Sequence, residues 1–224
     1  MEWTDRIRQV ASCHRTGYTG RKGTGPHGKC VGSPLRMLRR CLARLSRFPR
    51  SHGFGVQSPF AYHLIRDVLC ARVPEDVCSS FEQQQKQSWH MRSLGRLFFR
   101  LAQYWHPDII LDMDGSVLPY HQYLVVGCPH VAFHSCPGAL PSYAHVKRLV
   151  FCSATSNISV DTILSSCDQQ SLLIVLDLYQ DRFSRSIWEQ LMQDQRSGVT
   201  FDLYDCGVLF FDLSFYKQNY KTNF

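Results

Sequence analysis

Residues 109–127 read I-I-L-D-M-D-G-S-V-L-P-Y-H-Q-Y-L-V-V-G, and this stretch decides how the rest of the chain is interpreted. A strand is predicted over 109–113, a short turn follows Asp112, and a helix is predicted over about 117–126. The layout is typical of a ligand-binding turn at the carboxyl end of a parallel strand. Such turns usually hold several glycines, whereas this one holds only Gly115.

Short β-type runs and helical runs alternate downstream of this turn. They are strands at 130–134, 148–153 and 171–177 and helices at about 157–167 and 182–196. Strands that alternate with helices favour parallel βαβ units. The runs V-T-F-D-L-Y and G-V-L-F-F flank Asp205 so closely that they must pair antiparallel. The sequence therefore predicts an α/β fold: a Rossmann-like, doubly wound, mostly parallel sheet that ends in an antiparallel hairpin, preceded by N-terminal helices.

The chain divides into three segments by composition. Residues 1–34 are rich in Gly, Arg, Lys, Thr and Ser and are predicted to be a disordered basic leader, with Met37 as a candidate translation start. Residues 35–105 are predicted to be an N-terminal helical segment, and residues 106–224 the Rossmann-like domain.

Three helices are predicted within the segment 35–105. Ser58-Pro59 has the pattern of an N-cap followed by a first helical residue. A long helical segment is predicted over Ser79–Trp105, with an exposed glutamine-rich first half and an end at His106-Pro107. The apolar positions of the last two helices are Ala61, Leu64, Ile65, Val68, Met91, Leu94, Leu97, Phe98, Leu101 and Trp105.

Positive charge is concentrated at the N-terminus. Residues 1–50 hold twelve Lys or Arg against Glu2 and Asp5, a net charge of +10, whereas residues 51–224 have a net charge of −3. The first predicted helix repeats Leu35, Leu38, Leu42 and Leu45 on one face, with Arg36, Arg39, Arg40, Arg44 and Arg47 on the others. This basic amphipathic helix is a candidate contact for RNA or for an anionic membrane, and a merely solvated face is the alternative.

The sequence indicates a reducing, cytoplasmic location. No run reaches the ~20 apolar residues that a membrane-spanning helix needs. The first 34 residues lack the apolar core of a signal peptide. Ten cysteines are scattered without a C-x-x-C pair, and Cys70, Cys152, Cys167 and Cys206 stand in apolar surroundings that suit reduced, buried thiols.

Three stretches resemble the class I S-adenosylmethionine-dependent methyltransferases, and more narrowly a group of bacterial methyltransferase-like proteins related to small-molecule O-methyltransferases. The first is H-G-F-G-V-Q-S-P-F-A-Y-H-L-I at 52–65. The second is L-L-I-V-L-D-L-Y-Q-D, with Ser186, Ile187 and Trp188 after it. The third is the terminal hairpin V-T-F-D-L-Y-D-C-G-V-L-F-F-D at 199–212. The resemblance covers residues 36–224 and concerns mostly the scaffold.

The resemblance implies S-adenosylmethionine as the cofactor and places its site at the carboxyl edge of the sheet. Asp112 matches the acidic residue that ends the first strand of the family. Asp114 and Leu118 stand where glycines are expected, and Gly115 and Ser116 are small but displaced. Glycine is required there because a side chain blocks the approach of backbone to cofactor.

Two further anchors depart from the family pattern. His134 stands where an acidic residue usually accepts both ribose hydroxyls, and a neutral histidine offers one acceptor. Ser153, followed by Ala154, replaces an aspartate-glycine pair. Residues 135–147 are also too few for a helix, a strand and their links, so one βα unit, the family's third, is expected to be missing or collapsed.

Other candidate sites are weaker. Asp177 ends the most apolar strand and is a candidate catalytic residue, with helix capping as the alternative. Cys128, His130, His134 and Cys136 share one face of an extended strand, but they spread over ~25 Å at ~3.3 Å per residue, so no metal site is predicted. Hydrolase and phosphate-loop motifs are absent from the sequence.

Two functions are consistent with these residues. The first is a methyltransferase homologue that uses S-adenosylmethionine to methylate a small-molecule acceptor, on oxygen, with weakened activity. The second is a catalytically inactive methyltransferase-like protein that serves as an interaction or structural module.

Overall fold

The computed structural model of the protein describes residues 34–51, 53, 55–84, 87–135 and 146–224. Helices and strands alternate along most of this range. In chain order they are α1 (Pro34–Ser51), α2 (Pro59–His63, continued by a π-helical turn over Leu64–Leu69), α3 (Glu75–Gln84), α4 (Trp89–Trp105), β1 (Ile109–Asp112), α5 (His121–Gly127, after a 3-10 turn at Leu118–Tyr120), β2 (Ala132–Ser135), β3 (Arg148–Ser153), α6 (Val160–Ser165), β4 (Ser171–Leu176), α7 (Arg182–Gln193), β5 (Thr200–Asp202), β6 (Cys206–Phe210) and β7 (Asn219–Lys221).

The described strands form one sheet in the order β2-β1-β3-β4-β6-β5-β7. Strands β2, β1, β3 and β4 are parallel, whereas β6 pairs antiparallel with both β4 and β5. This arrangement confirms the predicted Rossmann-like fold with a closing antiparallel pair. The order β2-β1-β3-β4 equals the doubly wound order 3-2-1-4-5 with its third strand left out, and in the described residues no strand lies outside β2.

Each face of the sheet has its own hydrophobic core, because successive side chains of a strand point to opposite faces. One face packs against α2, α4 and α5; there Phe98 of α4 meets Phe151 of β3 edge to face, with ring centroids 5.3 Å apart. The other face packs against α6 and α7 and buries Trp188. Each fully buried side chain of this size contributes about 1.5–3 kcal/mol, so the two cores dominate the stability of the fold.

The N-terminal helices follow the predicted caps, with one correction. Ser58 caps α2 by accepting the amide hydrogen of Ala61, and His106 ends α4 in a left-handed conformation with φ 48°. The single helical segment predicted over Ser79–Trp105 is wrong, because α3 ends at Gln84 and Ser88 caps a new helix by accepting from the Met91 amide at 3.2 Å. The apolar positions predicted for α2 and α4 are buried or partly buried.

The strand at the C-terminus was not predicted. β7 pairs parallel with β5 over only three residues, and Phe201 stacks on Tyr220 across the pair at 5.2 Å between ring centroids. A run this short has no periodicity that distinguishes it from a loop. It becomes a strand because β5 offers it an unpaired edge.

Residues Leu38–Phe224 form one compact unit. The leader predicted at 1–34 and the candidate start at Met37 concern residues of which only 34–37 are described, by their backbone alone. The boundary expected between 105 and 106 stays a prediction. Within the described residues, no helix combines the length and apolar character needed to cross a bilayer.

Candidate functional site

The turn after β1 contains a buried carboxylate with one unused oxygen. Asp112 is 4% exposed; its Oδ1 accepts the amide hydrogen of Gly115 at 2.9 Å, and its Oδ2 is buried with no hydrogen-bond partner. Burial raises the pKa of this carboxyl, and the negative charge of Asp114 raises it further. The backbone amides of Asp114, Gly115 and Val117 offset part of this rise in the pKa, and an unpaired buried acceptor is costly.

Gly115 gives this turn its shape. Its φ of 82° lies in the left-handed region, where side chains are strained, and a Cβ there would meet only Leu118 Cδ1 at 3.9 Å. The space above the glycine is therefore open. Leu118, which stands where a glycine is expected in the family, is 58% exposed and does not fill the turn.

Asp114 closes part of the crevice between β1 and β3. Its Oδ2 accepts the amide hydrogen of Ser153 at 2.6 Å, and its Oδ1 accepts from the Ser116 amide at 3.1 Å. The crevice lies at the topological switch point, because the connection from β1 leads to β2 on one side and β3 lies on the other. A side chain absent from the glycine pattern thus occupies one side of the ligand-binding edge.

Ser153 connects this turn to the end of β4. Its Oγ donates to Asp177 Oδ2 at 3.1 Å and lies 2.7 Å from Thr155 Oγ1. Asp177 has a left-handed φ of 60° and does not cap a helix, so the capping alternative is wrong; Asp181 caps α7 instead. Desolvation raises the pKa of Asp177, and the nearby Asp114 and Asp205 raise it further.

His134 lies one residue before the end of β2, paired in register with Leu111, while Ser135 pairs with Asp112. It is half-buried on the outermost described strand of the parallel side. The strand face predicted to hold Cys128, His130, His134 and Cys136 cannot be followed in full, because Cys136 lies outside the described residues. Cys128 donates instead to the Pro107 carbonyl at 3.5 Å.

Sequence reasoning missed three residues at this edge. Tyr120 is buried, and burial together with Asp177 and Asp205 raises its pKa. Asp205, in the β5–β6 turn, accepts from Arg40 Nε at 3.1 Å, and its carbonyl accepts the Asp177 amide hydrogen at 3.1 Å. Their signal was weak, because neither Tyr120 nor Asp205 stands at the end of a parallel strand and Arg40 lies in a distant helix.

Helix α1 is held against the same edge by its arginines. Arg44 reaches Asp205 Oδ2 at 3.5 Å, and Arg40 also contacts His90 at the start of α4. The buried Arg47 donates to both the carbonyl and Oδ1 of Asp202, each at 2.9 Å. The two aspartates of the β5–β6 hairpin are thereby neutralised.

The remaining carboxylates make the crevice negative. Asp112, Asp114 and Asp177 form no ion pair with any Lys or Arg of the described residues. Such a site favours a ligand that carries positive charge and hydrogen-bond donors. Among the described residues, no group of three His, Cys, Asp or Glu side chains is arranged to hold a metal ion.

Comparisons with known proteins add little. Neither the protein-family models nor the curated proteins match this chain. Among solved structures, an S-adenosylhomocysteine-bound methyltransferase, PaMTH1 of Podospora anserina, is similar, with 10% sequence identity and a TM-score of 0.36. The match covers 94% of this chain and 97% of that one. At this distance it carries no inference about ligand or activity.

Proposed function

We propose that the protein is a class I methyltransferase homologue that binds S-adenosylmethionine at the crevice between β1 and β3 and methylates a small molecule on oxygen. The observation that carries the proposal is the unpartnered, buried Asp112 Oδ2 beside the open backbone of Gly115. Both features lie at the switch point, where open α/β sheets bind their ligands.

The residues present fit part of such a cofactor. When bound, it supplies a methyl group on a positively charged sulfonium. Asp112 is suited to accept from the ammonium of the methionine portion, and Gly115 lets the backbone approach closely. The carboxylates of Asp114 and Asp177 provide a negative field that favours a cation.

Asp177 is the candidate base for the acceptor. The pKa of Asp177 is raised towards neutral pH. This makes its carboxylate a stronger general base towards a hydroxyl than that of an exposed aspartate. Burial raises the pKa of the nearby Tyr120, and the charge of Asp177 raises it further. Catalysis in this class needs mainly the alignment of the acceptor with the methyl group.

The ribose portion fits less well. His134 offers one acceptor where a carboxylate offers two, and β2 has no acidic residue. We therefore expect affinity below that of enzymes with the complete pattern and correspondingly weak activity.

Calorimetric titration of the full chain with S-adenosylmethionine and S-adenosylhomocysteine tests the proposal. Micromolar binding that D112N abolishes, and that the control D67N leaves unchanged, supports it. Asp67 is an exposed aspartate of the turn that follows α2, remote from Asp112 in sequence. No heat at millimolar ligand overturns the proposal.

A second candidate function is a non-enzymatic interaction or structural module. The bond between Asp114 and the Ser153 amide favours it, because this bond satisfies part of the crevice from within the chain. The same titration distinguishes the two candidates. Absence of binding in both the wild type and D114A supports the module.

A further inference from the structure

Helix α1 is amphipathic, yet its apolar face points away from the protein. The exposed fractions are 56% for Leu38, 57% for Leu42 and 71% for Leu45. At 100° per residue these three side chains fall within about a sixth of the helix circumference. We call them the leucine face.

The opposite side of the helix holds it in place. Arg40 and Arg44 bind Asp205, and Arg47 binds Asp202. The Asn223 side chain also donates to the Arg44 carbonyl at 2.9 Å. Polar contacts thus dock the helix without help from its leucines. The usual arrangement, with leucines inward and arginines outward, is reversed.

Charge around the leucine face has a single sign. The chain has no acidic residue between Asp5 and Asp67, so α1 carries six arginines and no carboxylate. Arg39 and Arg50 are exposed. They lie on one flank of the leucine face, about 100° from its centre.

We propose that the leucine face docks on an anionic lipid surface. The apolar side chains enter the boundary between headgroups and acyl chains, as amphipathic helices in the plane of a membrane do. Arg39 and Arg50 meet the anionic headgroups, which attract arginine side chains near the surface.

Self-association is the main competitor for the same face, and charge disfavours it. The spacing of Leu38, Leu42 and Leu45 suits a short coiled coil. Stable helix pairs place opposite charges beside the apolar seam. Two copies of α1 would instead bring arginines together with no carboxylate of the helix to offset them, and Pro49 limits the seam.

Co-sedimentation of the full chain with vesicles tests the proposal. Binding is expected to vesicles of phosphatidylcholine with about 30% phosphatidylserine and to be at least about tenfold weaker to phosphatidylcholine alone. The variant L42Q/L45Q is expected to lower partitioning at least about tenfold, because two apolar side chains no longer enter the membrane. The control L213Q, at a leucine 52% exposed outside α1, leaves it unchanged.

Charge variants separate the flank from general basicity. R39Q/R50Q is expected to weaken binding to anionic vesicles several-fold, whereas R72Q/R182Q, at exposed arginines outside α1, has a smaller effect. All variants are checked for an unchanged circular dichroism spectrum. L42Q/L45Q that binds as well as the wild type overturns the proposal. So does a dimer in solution that L42Q/L45Q dissociates in the absence of any vesicle binding.

Discussion

Asp114 Oδ2 accepts the backbone amide hydrogen of Ser153 at 2.6 Å, across 39 residues of sequence. The bond ties the turn after β1 to the carboxyl end of β3, where the winding of the sheet reverses. A glycine in place of Asp114 leaves this crevice open to a ligand. The side chain therefore stabilises the fold at the position where we propose that a cofactor binds.

Removing this bond is expected to lower the stability of the fold and to raise its affinity for the ligand. D114A is expected to lower the free energy of unfolding by about 1–3 kcal/mol, the cost of losing a hydrogen bond to a charged group. It is also expected to tighten binding of S-adenosylhomocysteine, because the crevice opens and the uncharged sulfur of this ligand gains nothing from the Asp114 carboxylate. Urea unfolding and calorimetric titration measure the two effects.

Asp108 provides a matched control for D114A. Its Oδ2 accepts the Lys147 amide hydrogen at 2.9 Å, so it makes a comparable bond between the amino ends of β1 and β3. D108A is expected to lose stability but to keep its ligand affinity. Equal affinity changes in the two variants contradict the placement of the ligand in the crevice.

Asp112→Asn is expected to raise the melting temperature at pH 7. A carboxyl whose pKa is raised in the folded state stabilises the fold when protonated, and this contribution is lost as pH rises through the folded pKa. Asparagine does not ionise, so the variant is expected to be more stable than the wild type at neutral pH. This difference is lost as the pH falls to about 4, near the unfolded pKa of aspartate. Calorimetric melting of the variant and the wild type at pH 7 and at about pH 4 measures this difference. A variant less stable than the wild type at pH 7 refutes this account of Asp112.

Arg47→Ala is expected to lower the free energy of unfolding by about 3–5 kcal/mol, because it leaves the Asp202 carboxylate buried without its cation. Arg39→Ala, on the same helix but exposed, is expected to change stability by less than about 0.5 kcal/mol. Both are measured by urea unfolding. Similar losses in the two variants show that α1 does not dock through Arg47.

Gly95→Ala is expected to destabilise the protein by about 1–3 kcal/mol through overpacking. A Cβ at this position would lie 2.3 Å from Cε2 of the Tyr123 ring, which is itself held by hydrogen bonds to Glu82 and Gln87. Gln103→Ala, at an exposed position of the same helix, is the control. Thermal unfolding of the two variants compares the effects, and a neutral Gly95→Ala shows that Tyr123 moves freely.

The fold was accessible from sequence where local patterns and packing agree. β3 and β4 are continuous apolar runs buried on both faces, which is how central parallel strands read. The break between α3 and α4 was missed, since the helical periodicity continues past Gln84 and only the cap at Ser88 marks the new helix. The start of α4 can be predicted from the sequence only if the N-cap at Ser88 is given more weight than the helical periodicity.

The candidate site was only partly accessible for a different reason. Asp112, Gly115 and Ser153 stand at strand ends or turns, where a pattern locates them. Asp205 and Arg40 meet across 165 residues, and no local pattern pairs them. The orientation of α1 was hidden in the same way, because periodicity shows that a helix has two faces but not which one finds partners.

The anchor of α1 also sets the order of events during synthesis. Arg47 can bind Asp202 only after the ribosome has added the 155 residues that separate them. At translation rates of 5–20 residues per second the ribosome takes about 8 to 30 s to cover that distance. Throughout that interval Arg47 lacks the carboxylate that it binds in the folded protein, and the nascent chain presents a cationic, leucine-bearing segment to its surroundings.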